Sequence, residues 1–443
     1  MAALLLTSMV WSGHAQEKNE MDLSGEWAFQ TDVMDFRRGS LDVRYCHRLQ
    51  ESIVLPGITD DYKIGYKSPY RHLDRLTRVY EYMGPAWYQR EIEIPAAWKG
   101  KRIFLYFERT HWLSSVYVGK EEVSKIDYIS IPHNHELTQW LHPGKKELIT
   151  FCIDNRYQYD THKWDHAHSE FTQINWNGVL GEIKLVAVDP VYVDDMQVYP
   201  DIKNKSIKVK MTVRNCTEHT ASGKISFHVT GKDYRLQKEV PVTVTDSITY
   251  IEEEMFLGKD IHLWNEFHPN LYTLDCKLTS SVEGQSYAHE KSTTFGMREV
   301  EAGEDRIILN GEPIHLRGTV ENAVFPKTGY APVDDASWER VLRILKEYGM
   351  NHMRFHSWCP PAAAFRMADK LGVYLEVEMP MWGKDAQPDE KRWNFFRREL
   401  RGILKEYGNH PSFILYCNGN EITGDFSFIE ELTATARQLD NRR

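Results

Sequence analysis

The sequence predicts a chain of three parts: two β-sandwiches followed by a series of parallel β/α units. Three observations carry this. Up to about residue 297 the chain holds short, alternating apolar runs rich in β-formers and cut by Gly and Pro. After about residue 300 the apolar period becomes helical. Strand and helix then alternate four times, which is the unit of a parallel α/β fold and, in a (β/α)₈ TIM barrel, its first half.

The elements follow in order. Residues 1–15 read as an export signal: Ala2 to Val10 is mostly apolar and Ser12-Gly13-His14-Ala15 puts small residues before Gln16. The basic leader of such signals is missing, and a plain hydrophobic N-terminus is the alternative. Residues 20–188 carry Phe104–Tyr106, Val116–Val118 and Leu148–Ile153 as strands, punctuated by Pro56-Gly57, Gly84-Pro85 and Pro143-Gly144. Residues 189–297 repeat the theme in Ile207–Val213, Lys224–Val229, Val240–Val244 and Leu271–Leu278, the size and strand count of an immunoglobulin-like sandwich. In residues 298–443, strands are expected at 313–318, 351–355, 373–377 and 413–417. Helices are expected at 335–348 (apolar face Trp338, Val341, Leu342, Leu345, Tyr348), from Pro361 to Gly372, at 390–407 and at 428–439.

Composition narrows the function. With 443 residues, 42% of them hydrophobic, there is ample core. A net charge of -10 argues against a nucleic-acid partner. No apolar run after the N-terminus is long enough to span a membrane. The 13 Trp and 23 Tyr suit a carbohydrate partner, although β-sandwich cores use the same residues. The six cysteines form no CxxC pair, so zinc ribbons are excluded; Cys216 and Cys276 fall in one sandwich and could pair.

The chemistry gathers at predicted strand ends, where β/α barrels place their active sites. Four positions qualify: Glu321-Asn322, Arg354-Phe355-His356, Glu378 and Asn420-Glu421. Glu421 is the candidate general acid/base, since a carboxyl in a partly apolar site holds its proton toward neutral pH. The alternative is a helix-start carboxylate favoured by the dipole. Asn420 could hydrogen-bond a sugar hydroxyl. Glu378 could bind sugar hydroxyls, a basic side chain or a divalent metal ion, or form a structural ion pair. Arg354 could clamp a carboxylate. His356 could bind a sugar hydroxyl or cap its loop. Trp358 and Trp382 could be sugar platforms or packing.

These residues resemble glycoside hydrolase family 2, the family of β-galactosidases, β-glucuronidases and β-mannosidases. Leu23-Ser24-Gly25-Glu26-Trp27, Leu55-Pro56-Gly57-Ile58-Thr59-Asp60, Trp87-Tyr88-Gln89-Arg90 and Trp176–Gly181 resemble its sugar-binding jelly roll. Leu263-Trp264, Pro269–Tyr272 and Phe295–Arg298 resemble its immunoglobulin-like module. Leu309–Pro313, Leu316–Gly318 and Asn409–Ser412 running into Asn418-Gly419-Asn420-Glu421 resemble its barrel. The resemblance implies Glu421 as acid/base, Asn420 as partner of the sugar 2-hydroxyl and Glu378 as an active-site acid. Two departures stand out: Phe355–Pro360 displaces the His usual after the strand-two Arg, and Thr319–Asn322 replaces the galactosidases' His-rich loop.

The resemblance further implies hydrolysis of terminal β-glycosides, with galactosides the common case, by a retaining mechanism needing two carboxyls about 5–5.5 Å apart. The family's nucleophile comes from barrel strand seven, and this chain ends after the helix that follows strand four. The expectation is therefore an N-terminal portion truncated within the barrel, with little turnover alone. A carbohydrate-binding fragment, or a half-enzyme needing a C-terminal partner chain, is the alternative. Export to the periplasm or medium is expected, no cofactor is required beyond a potential divalent ion near Glu378, and the oligomeric state is not readable.

Overall fold

In the computed structural model, residues 19–35, 49–162, 164–383 and 388–443 are described, so the expected export signal lies outside them. The molecule is mostly β. Among the described residues no helix is long and apolar enough to cross a membrane.

Two antiparallel sheets enclose the first core. One runs Glu121–Ile126, Leu113–Val118, Lys146–Asp154, Pro85–Glu93, Gly25–Thr31, Glu51–Leu55 in spatial order. The other runs Glu20–Asp22, Gly178–Val188, Arg102–Thr110, His133–Glu136, with Gly57–Ile58 beside Gly178–Val188. Strict alternation puts Ile103, Leu105 and Phe107 inward, where Phe107 meets Phe151, which stacks on Tyr88. The Tyr88 hydroxyl donates to Asn177 Oδ1 (2.9 Å), while Asn177 Nδ2 donates to the carbonyls of Gly84 and Ile153. Gly178, at φ 148°, lies so close to the Gly57 carbonyl that a Cβ would stand 2.2 Å from it.

A second pair of antiparallel sheets follows. Val191–Asp201, Ser206–Asn215 and Ile248–Phe256 face Tyr234–Val244, Ala221–Gly231, Tyr272–Val282 and Gln285–Phe295. Their shared core includes Val209, Phe227, Leu274 and Cys276. Cys216 is an exposed thiol and Cys276 a buried one, so the pairing the sequence left open is not formed: one side chain points into the core and the other to solvent.

The remaining chain forms a four-stranded parallel sheet, β1 (Gly318–Glu321), β2 (His352–Phe355), β3 (Tyr374–Glu378) and β4 (Phe413–Cys417), hydrogen-bonded in that order. Its helices are α1 (Asp335–Glu347), α2 (Ala362–Leu371), α3 (Glu390–Tyr407) and α4 (Phe426–Leu439). Their ends follow ordinary capping chemistry. The Asp334 carboxylate accepts the Ser337 N–H, Asp389 accepts from Lys391 and Arg392, and Gly372 closes α2 at φ 67°.

Two expectations need correction. The strand expected at 313–318 is split: Glu312–Pro313 pairs antiparallel with Ile307–Leu309, and the parallel strand begins only at Gly318. Because among the described residues β1 pairs only with β2 and is largely exposed, apolar patterning did not mark it. Tyr348, read as part of the buried face of α1, is the residue after that helix and is 79% exposed.

The strands alternate sharply. Met353 and Phe355 of β2, and Leu375 and Val377 of β3, join the helices in one core. Arg354, Glu376 and Glu378 therefore share the opposite face, with Arg354 and Glu376 in register.

Polar ties hold this unit to both sandwiches. Asn409 Oδ1 accepts from Val198 N and its Nδ2 donates to the Met196 carbonyl (both 2.8 Å). Arg298 donates to the carbonyls of Pro411 and Phe413. The fully buried Glu399 of α3 accepts from the amides of Ile129 and Ser130 at 2.8 and 3.2 Å. Burial pushes its carboxyl up to about 7.

Candidate active site

The parallel strands deliver their polar residues to one end of the sheet. At the tip of β3, Glu378 is 0% exposed. Its Oε1 accepts from Arg354 Nε at 2.6 Å and its Oε2 from the Ser357 amide at 2.6 Å. Burial raises its pKa, and the Ser357 amide and the Arg354 charge oppose that rise. Arg354 also reaches Glu376 (3.5 Å) and donates through Nη2 to Asn420 Oδ1 (3.0 Å).

After β4 the chain turns sharply. Asn420 N donates to the Met381 carbonyl and Gly383 N to the Asn420 carbonyl, both at 3.0 Å, so the two loops pair like a short ladder. Gly419 permits this approach, because a Cβ there would lie 2.2 Å from the Met381 carbonyl. Glu421 follows with φ 47°, a backbone strained for a non-glycine residue, and its side chain is exposed. Trp382 Nε1 donates to Glu421 Oε2 at 2.9 Å. Helix α4 begins at Phe426 with Asp425 as its cap, so Glu421 is not a helix-start carboxylate.

His356 lies between these groups and the first sandwich. His166 Nδ1 is 2.9 Å from the His356 carbonyl and 2.9 Å from His356 Nδ1. A carbonyl only accepts, so the proton belongs to His166 Nδ1 and His356 Nδ1 accepts. The Asn420 side chain acts on His356 as well, opposing the fall of its pKa. Burial pushes His166 down to about 4 and also lowers His356, so both imidazoles are neutral at pH 7. The result is a continuous polar chain His166–His356–Asn420–Arg354–Glu378.

Trp382 packs edge-on against His166 (5.0 Å) and His356 (4.8 Å), and its ring is 5.7 Å from that of Trp164. The two candidate platforms thus separate. Trp382 is half-buried beside Glu421, whereas Trp358 is 3% exposed, packs on Phe355 and donates to the Glu321 carbonyl. Glu321 does not join the group. Its carboxylate folds back onto the amides of Ala323 and Val324, and burial pushes it up to about 7.

Glu376, Glu378 and Cys417 offer ligand atoms within 4.8 Å of one another, the set nearest to the metal site the sequence suggested. The fit is poor. The Arg354 guanidinium already supplies the positive charge to both carboxylates, and burial raises the Cys417 thiol, which binds metal only as thiolate.

The strand ends thus gather Arg354, His356, Glu378, Trp382, Asn420 and Glu421. Sequence reasoning missed Trp164 and His166, which arrive from the first sandwich. The dense run Trp164-Asp165-His166-Ala167-His168 was the available signal.

Residues 191–298 match the family model described as Glycosyl hydrolases family 2. The match covers the second sandwich, and the chain is similar to members of this family along most of its length. It is 24% identical to a β-galactosidase of Thermoanaerobacter pseudethanolicus over 82% of its own length and 48% of the relative's. It is 22% identical to a β-glucuronidase of Paenibacillus borealis, over 95% and 72% of the two chains. A Bacteroides uniformis β-glucuronidase structure superposes with TM-score 0.75 at 18% identity, covering 96% of this chain and 51% of that one. A putative β-galactosidase from Bacteroides fragilis gives TM-score 0.78 at 16% identity, over 96% and 62%. These structural likenesses concern the fold. This chain therefore spans about half the length of several relatives that it matches along most of its own.

Proposed function

We propose that this chain carries the proton-donating and sugar-orienting part of a retaining β-glycosidase site, with the parallel β/α unit as the first half of a TIM barrel. The observation that carries the reading is Glu421: an exposed carboxylate on a strained turn at a strand end, held by the Trp382 indole beside the Asn420 amide. Glu421 protonates the leaving oxygen and then takes the proton back from water. Asn420, oriented by Arg354 and His356, contacts the sugar 2-hydroxyl, and Trp382 flanks the ring. Glu378 holds Arg354 in place. The sugar is galactose- or glucuronate-configured, since relatives of both kinds match. The first sandwich is assigned as a jelly roll, the second as immunoglobulin-like, and the protein as exported.

The second carboxylate of a retaining pair has no assignment here. Glu376 and Glu378 are both tied to Arg354, which favours a second reading: a saccharide-binding chain, or a half-enzyme that needs a partner chain.

Glu421→Gln discriminates. Hydrolysis of aryl β-galactosides and β-glucuronides is measured together with sugar binding, followed by tryptophan fluorescence. The glycosidase reading expects a rate loss of about 10²–10⁴-fold with binding kept. Unchanged hydrolysis removes Glu421 from the chemistry. Binding without turnover in the unsubstituted chain supports the second reading.

A further inference from the structure

The loop region of the first sandwich between Tyr62 and Arg78 is unlike the rest of the molecule. In a chain of net charge -10 it carries five Lys or Arg (63, 67, 71, 75, 78) against one acid, Asp74. It also exposes large apolar side chains: Tyr66 is 67% exposed, Tyr70 71% and Leu73 95%. An exposed patch of this kind usually marks a binding surface.

Its position gives it meaning. The Arg75 guanidinium lies 4.6 Å over the Phe171 ring. The Phe171 ring is 6.4 Å from that of Trp164, and Trp164 is 5.7 Å from Trp382, which bonds Glu421. A series of aromatic rings in edge-on and tilted contact therefore runs from Trp382, beside Glu421, to Phe171 under Arg75. At its far end an open cavity of about 420 Å³ has Tyr66, His72, Arg75, Arg78, Glu81 and Glu170 among its lining residues. Arg78 is committed there, since it pairs with Asp60 (2.7 Å) and Glu170 (3.0 Å) and so neutralises Glu170. Among the described residues Arg75 has no ion-pair partner, so its planar donor face is open to a ligand.

We propose that this surface is a second saccharide subsite that grips an anionic sugar unit of the substrate, farther along the chain from the bond at Glu421. The proposal rests on the glycosidase reading and adds the substrate class: an oligosaccharide carrying carboxylate or sulfate. Aromatic faces stack on sugar rings along the line, and the Arg75 fork accepts a carboxylate or sulfate in two-point geometry. Lys67 and Arg71 add attraction from the rim.

The test is calorimetric titration of the whole chain with three probes of equal length: a galacturonate trisaccharide, a sulfated galactose trisaccharide and neutral galactotriose. At least one anionic probe is expected to bind about tenfold more tightly than the neutral one, and added salt should shrink the gap. Whichever anionic probe binds better identifies the charged group. Arg75→Ala should abolish the preference and Arg75→Lys should restore part of it. Equal affinity for all three probes, or a preference that survives Arg75→Ala, overturns the proposal. Equal affinities that are all lost in Trp382→Ala would leave the glycosidase reading standing and this one fallen, and no binding of any probe would likewise overturn this proposal, leaving the glycosidase reading to the Glu421→Gln test.

Discussion

Glu378 and Glu421 are the same residue type at the tips of adjacent parallel strands, yet they occupy opposite environments. Glu378 is sealed from water, ion-paired to Arg354 and held by the Ser357 amide. Glu421 is exposed on a strained turn with the Trp382 indole as its donor. Position along a strand therefore does not decide a carboxylate's task; its surroundings do. The first is built to hold a cation still. The second faces solvent, where the proposed reading places the sugar.

Removing each acid should break this symmetry in opposite ways. Glu378→Ala leaves Arg354 with only the longer contact to Glu376 and leaves the Ser357 amide without its acceptor, which costs about 3 kcal/mol of stability, the low end for a broken buried pair because Arg354 keeps Glu376 and some access to water. Glu421→Gln should change stability by no more than about 0.5 kcal/mol, as exposed substitutions do. Urea unfolding of both variants measures the contrast. Equal midpoints would show that Glu378 is not the structural member of the pair.

Much of this arrangement was legible beforehand because it depends on local rules. α3 lies at the 390–407 its apolar spacing predicts, and Glu421 stands four residues past the end of an apolar strand. The burial contrast between Trp358 and Trp382 was not legible, since both are Trp in loops after strands. Nor was the His166–His356 contact, which joins residues 190 apart and is made only when the first sandwich packs onto the sheet. β1 escaped for another reason: an exposed edge strand has no apolar pattern to read. The residues of the first sandwich that carry the resemblance do internal work, as with Asn177 bonding two buried carbonyls.

A third acid sharpens the comparison. Glu399 is as buried as Glu378 but has amides rather than an ion-pair partner. An unfolded chain ionises Glu near pH 4.3. The folded protein holds Glu399 up to about 7. Between these values the folded state keeps a proton that the unfolded state has lost, so Glu399's contribution to stability is full below that window and falls as pH rises through it. Glu378, also raised, acts with the same sign. The buried His133, His166 and His168, pushed down to between about 3 and 4, act with the opposite sign, so the expectation concerns the difference between two profiles: Glu399→Gln, which stays neutral and can still accept an amide, should gain in unfolding midpoint relative to the unsubstituted chain as pH rises from about 4 to 8. A profile unchanged by that substitution would mean that Glu399 is ionised within the fold.

The smallest effect tests the donor on the exposed side of the comparison. Trp382→Phe removes the indole N–H that holds Glu421 Oε2 but keeps an aromatic face toward His166 and His356. One hydrogen bond to an exposed carboxylate is worth about 1 kcal/mol, or roughly a fivefold loss in kcat if it orients the acid for proton transfer. Sugar affinity should move less than kcat, because the ring face that would flank the sugar remains. The reverse split, affinity lost and kcat kept, would make Trp382 a platform alone and leave Glu421 to be oriented by its own strained turn.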